Sequence, residues 1–99
     1  MFDEIKVPLL EHYKENDFLS GGCYIFAKLV SERYGGEIYI NRTLEHCAVK
    51  YHENLYDITG KIKNIEGFHP FRPGEEFVCQ KEYLLKRKDL NQIKKICNL

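Results

Sequence analysis

Three side chains in this sequence have the types and the order that thiol chemistry needs: Cys23, His46 and Asp57. A cysteine hydrolase or acyltransferase requires a nucleophilic thiol, an imidazole to take and return its proton, and an acceptor that fixes the imidazole tautomer. Cys23 stands in Gly21-Gly22-Cys23-Tyr24-Ile25-Phe26-Ala27, where the first turn of a helix would hold it. A helix N-terminus carries partial positive charge and favours thiolate over thiol. His46 lies near the start of the β-rich segment Glu45–Tyr51, and Asp57 follows in Leu55–Ile58. Antiparallel neighbours lie about 5 Å apart, so a turn centred near Glu53 brings Asp57 close to the stretch His46–Lys50.

Each of the three has a plainer reading. Cysteine is among the most buried residue types, so Cys23 can simply fill a core. His46 can be a satisfied histidine at a strand start. Asp57-Ile58-Thr59-Gly60 is also a good turn sequence, in which Asp holds its own backbone. The remaining thiols, Cys47, Cys79 and Cys97, fall on apolar faces and read as core, while His12, His52 and His69 read as surface or loop residues.

The elements that must position these groups follow from periodicity. From Tyr24 to Val30 only Lys28 is polar, the pattern of a helix buried on nearly every side. Ser20 is placed to cap it, and Gly35-Gly36 to end it with positive φ. Before it, Ile5, Leu9, Leu10 and Tyr13 mark a helix with Pro8 in its first turn, running to about Asn16. After it, Glu37–Asn41, Glu45–Tyr51 and Leu55–Ile58 form an antiparallel meander. Alternation puts His46, Ala48 and Lys50 on one face and Cys47, Val49 and Tyr51 on the other. Gly67–Gly74, with its prolines, reads as a loop, and Glu76–Cys79 as a short strand. Leu90, Ile93, Ile96 and Cys97 predict an amphipathic terminal helix packed on the sheet. The fold class is α+β: a buried central helix on a small antiparallel sheet, with helices at both ends, in a single domain over residues 1–99.

Composition limits what such a domain can do. Fifteen basic and fifteen acidic residues cancel, leaving no electrostatic footprint for nucleic acid. The N-terminal stretch has early acids and no long apolar run, which argues against a signal peptide or membrane span and for the cytoplasm. Four cysteines without a C-x-x-C pair read as thiols, not a disulfide framework. The close pair His46-Cys47 points to opposite strand faces, so no metal site is expected, and no phosphate loop or dinucleotide fingerprint implies a cofactor.

The segment Gly21–Ala27 resembles the nucleophile segment of papain-like cysteine proteases, where a small residue precedes the cysteine and an aromatic follows it on the buried central helix. His46-Cys47-Ala48-Val49 and Leu55-Tyr56-Asp57-Ile58-Thr59-Gly60 resemble the second half of the transglutaminase-like branch. The pattern is also similar to that of small proteins from phages and mobile elements. The resemblance, over roughly residues 20–60, implies a minimal papain-like core. It implies Cys23 as nucleophile, His46 as base and acid, and Asp57 as the orienting group, acting on an amide or thioester of a protein or peptide. The family's oxyanion glutamine has no counterpart here: Asn16 is the nearest amide and Ser20 the nearest hydroxyl. Two functions stay open, a cysteine hydrolase or acyltransferase, and an inactive papain-like scaffold serving as a phage-encoded binder or inhibitor of a host protein in the host cytoplasm. So short a chain leaves a partner or a homodimer to complete any cleft.

Overall fold

The computed structural model describes residues 2–19, 22–83 and 87–98, which form four α-helices and one five-stranded antiparallel sheet. The order is α1 (Asp3–His12), a 3-10 turn (Glu15–Phe18), α2 (Cys23–Tyr34), β1 (Glu37–Asn41), β2 (His46–Tyr51) and β3 (Asn54–Asp57). Then come β4 (Gly60–Lys61), β5 (Phe68–Pro70), α3 (Glu75–Tyr83) and α4 (Arg87–Ile96). Strand order across the sheet is β4-β3-β2-β1-β5. The α+β class and the buried helix on an antiparallel sheet are as the sequence indicates.

Helix α2 is the centre. Tyr24, Ile25, Phe26, Ala27, Leu29 and Val30 are all sealed from solvent, and each of the larger ones contributes about 1.5–3 kcal/mol relative to exposure. The helix lies on the sheet face carrying Ile38, Ile40, Cys47 and Val49, all in the same core. Gly35 and Gly36 end it with φ of 86° and 102°. A Cβ on Gly36 would stand 2.6 Å from the Lys50 carbonyl oxygen, so β1 can enter the sheet there only through glycine. At the other end Gly22, not Ser20, occupies the N-cap position, without a side-chain cap. Ser20 and Gly21 lie outside the described residues.

Four expectations are corrected. Helix α1 begins at Asp3 rather than Pro8, and Pro8 lies inside it. Proline there removes one backbone bond and crowds the carbonyl a turn earlier, but Ile5 and Leu9, both fully buried, hold the two flanks against the core. The helix therefore stops at His12 and a separate 3-10 turn carries Phe18 inward. Residues 68–70, expected as loop, form β5 on the free edge of β1, pairing Asn41 with Phe68 and Tyr39 with Pro70. Proline is tolerated there because β5 is an edge strand. Glu75–Tyr83 is helix α3, not a strand: Cys79 alone of its first five residues is fully buried. Among the described residues the terminal helix packs chiefly on α1 rather than on the sheet, with Cys97 Sγ 3.9 Å from the Ile5 carbonyl, and reaches α2 through Lys94 Nζ, 3.9 Å from Glu32. The Leu90 side chain lies outside what the structure describes.

Candidate functional site

Cys23 is the first residue of α2, and its sulfur meets the start of β2, where the Cys47 N–H donates to it at 3.4 Å. The approach is set from below by Gly22. Its N–H donates to the Asp17 carbonyl at 2.7 Å, and a Cβ on it would come within 2.5 Å of that same oxygen.

His46 and Asp57 are joined directly: His46 Nε2 lies 2.9 Å from Asp57 Oδ2. The register explains the contact. Val49 pairs with Tyr56, so continuing by one residue sets Asp57 level with Ala48, two positions from His46 on the same face, a diagonal that long side chains cross. The plainer reading of Asp57 is satisfied as well. Its Oδ1 accepts the Thr59 N–H at 2.8 Å and the Thr59 hydroxyl. One oxygen holds the turn and the other holds the imidazole. Because the ionised carboxylate only accepts, Nε2 carries the proton, and Nδ1 is left for exchange. That Nδ1 is buried and has no hydrogen-bond partner.

Asn41, overlooked in the sequence, anchors the turn that leads into His46. It is 4% exposed, its Oδ1 accepts the Leu44 N–H at 3.0 Å, and its Nδ2 donates to the Glu66 carbonyl at 3.1 Å. Phe68 stands edge-on to the His46 ring at 6.3 Å. Neither could be found without knowing that β5 lies beside β1.

The charges follow from these neighbours. The Cys47 thiol and the His46 ring hold the Cys23 thiol down to about 5, against burial that pushes it up. Of the Cys47 groups the backbone N–H meets hydrogen-bond geometry; the thiol acts on Cys23 from beside it. Burial pushes His46 down, but the Asp57 hydrogen bond and the Cys23 sulfur outweigh it, and its pKa stands at about 9. The sulfur thus acts on the ring while Nδ1 remains outside hydrogen-bond geometry. Asp57 is held below the usual carboxylate range: burial opposes this, and the bonds to His46 and Thr59 overcome it. Between those values the arrangement is a thiolate beside an imidazolium beside a carboxylate. This is the charge pattern of an activated cysteine.

A family model described as "Phage YunG-like protein" matches residues 8–96. The chain belongs to the phage YunG-like family. Nothing among the curated proteins or the solved structures matches it. The phage association expected from the sequence pattern therefore holds for this YunG-like chain.

In the YunG-like chain the site is closed. Cys23 is 1% exposed, and the His46 and Asp57 side chains are 12% and 10% exposed. A shallow cavity of about 310 Å³, lined by Asn41, Thr43, Leu44, Asn64, Glu66 and Gly67, is not lined by Cys23, His46 or Asp57. Among the described residues no group of three or more His, Cys, Asp and Glu side chains is arranged to hold a metal ion, and no helix is long and apolar enough to cross a membrane. Cys47, Cys79 and Cys97 are buried thiols, as their apolar positions indicate.

Proposed function

We propose that this YunG-like protein is a cysteine-dependent hydrolase or acyltransferase of papain-like and transglutaminase-like type, acting on an amide or thioester. The observation that carries the reading is the 2.9 Å bond from His46 Nε2 to Asp57 Oδ2, which leaves a buried, unpartnered Nδ1 beside the Cys23 thiolate. Cys23 attacks the acyl carbon, and the electron pair of the C=O bond moves to oxygen. The Cys23 N–H, at the first position of α2, supplies one donor for that oxyanion. His46 Nδ1–H then protonates the leaving amine or thiol, and the same nitrogen takes a proton from the water or acceptor that releases the acyl group. Asp57 holds the ring orientation and stabilises the imidazolium. The substrate is a protein or peptide group, and a second copy or partner completes the cleft.

The test is acyl-enzyme formation. The protein is mixed with a small activated ester and with an S-acyl thioester, and peptides are mapped by mass. Acyl transfer to Cys23 with a burst, absent in Cys23→Ser, is expected. A folded protein in which Cys23 stays unacylated, while exposed lysines react, sinks the reading.

One observation favours a second reading. The thiol is 1% exposed and lacks a hydrogen bond to His46, which suits a scaffold without turnover that binds a host protein. In that case Cys23→Ser retains the full effect on host cells.

A further inference from the structure

Three sulfurs lie in series beneath the start of α2. The Cys47 N–H touches Cys23 Sγ at 3.4 Å, and Cys47 Sγ lies 3.8 Å from Cys79 Sγ. None of them is cross-linked. We propose that Cys47 is the resolving thiol for Cys23: when a hydroperoxide oxidises Cys23, Cys47 closes a reversible disulfide with it, protecting the nucleophile from irreversible oxidation. This shares with the hydrolase reading only the reactive sulfur at Cys23 and requires no turnover.

The geometry suits the step. The 3.4 Å contact places the Cys47 Cα within about 5 Å of the Cys23 sulfur, since N–Cα is about 1.46 Å. Strand alternation puts Cys47 on the face with Val49, opposite Ile40 of β1, and both cysteine side chains are buried in the core that this face shares with α2. Hydrogen peroxide is scarcely larger than water, so it needs a far smaller opening of the closed site than a bulky acyl donor does.

The chemistry balances in two steps. The Cys23 thiolate attacks one peroxide oxygen; an S–O bond forms, the O–O bond breaks, and hydroxide leaves, taking a proton from His46. The product is sulfenic acid. Cys47 then loses its proton and attacks that sulfur; the S–S bond forms, the S–O bond breaks, and the released hydroxide becomes water. Peroxide is reduced and the thiol pair oxidised. The order is enforced by charge. Cys47 is held protonated first by the Cys23 sulfur beside it and then by burial. Once Cys23 is a neutral sulfenic acid, the sulfur charge that resists ionisation of Cys47 is gone. Cys79 can then attack Cys47 and expel Cys23, the more acidic and better leaving thiol.

The test is a time course of the intact protein with stoichiometric hydrogen peroxide, quenched by alkylation and mapped without reduction. A Cys23–Cys47 linked peptide should appear first and be reversed by dithiothreitol. It should persist in Cys79→Ala and pass to Cys47–Cys79 in the unmutated chain. In Cys47→Ala, Cys23 should advance to sulfinic acid at least ~10-fold more. If that variant does not fold, the map of the unmutated chain decides alone. Three results overturn the proposal: sulfinic acid at Cys23 with Cys47 still a free thiol, a Cys47–Cys79 link formed as fast in Cys23→Ser, or no disulfide at all. Failure of acylation with this disulfide present would remove the hydrolase and leave the resolving thiol standing.

Discussion

Asp57 reaches His46 along a diagonal of the sheet, and its Oδ2 accepts the hydrogen bond from Nε2–H at 2.9 Å while its Oδ1 secures the Thr59 turn. A single carboxylate therefore fixes both the end of β3 and the tautomer of the imidazole.

The first prediction concerns thiol reactivity. With Cys23 held down to about 5, its alkylation by iodoacetamide should rise through about pH 5 and plateau well below pH 8. Cys47, Cys79 and Cys97, all pushed up, should lag by at least ~10-fold at pH 6. A Cys23 profile rising only near pH 9 would mean an ordinary core thiol.

Asp57→Asn should let the imidazole fall from about 9 toward the ordinary histidine value of 6.5, as read by NMR titration of the His46 ring. The loss of the fixed tautomer should lower acyl transfer by roughly 10²–10⁴-fold. An unmoved His46 titration would show that Asp57 serves the turn alone.

Stability should follow pH with a definite sign. His46 has a raised folded pKa, so its contribution is complete below about 6.5 and is lost as pH rises through about 9. Asp57 has a lowered one, so its share is present above the usual carboxylate range and is lost as pH falls through its folded value. The stability difference between the natural chain and His46→Ala should therefore peak in mildly acidic solution and shrink toward pH 9, measured by urea unfolding. At the peak it should be about 1–3 kcal/mol, since Asp57 is left buried without its partner. A pH-independent difference would reduce His46 to packing.

Gly22→Ala tests the seat of the nucleophile. The new Cβ would meet the Asp17 carbonyl at 2.5 Å, so the first turn of α2 must shift. Cys23 alkylation should slow several-fold and the melting temperature should drop. Gly35→Ala, which meets nothing within 4 Å, should cost only the strain of its positive φ, about 1–3 kcal/mol, and leave Cys23 reactivity unchanged.

The sequence by itself determined the elements whose identity depends on local pattern. The stretch Tyr24–Val30, polar only at Lys28, carries the pattern of a buried helix. Gly35-Gly36 fixes its end by φ, and the alternation from Glu37 to Asp57 sets a meander whose register brings Asp57 near His46. Where tertiary contacts outweigh local propensity, the structure alone decided. Pro8 stays inside α1 because Ile5 and Leu9 are held in the core on both sides of it. Residues 68–70 become a strand because β1 offers an open edge, and residues 75–83 a helix because one buried face at Cys79 suffices. The Cys47 N–H on the Cys23 sulfur was equally illegible, and the sequence offered the two roles of Asp57 only as alternatives, where the structure has both bonds at once. Such contacts are decided by packing to within a few tenths of an ångström, which residue types and spacing do not encode.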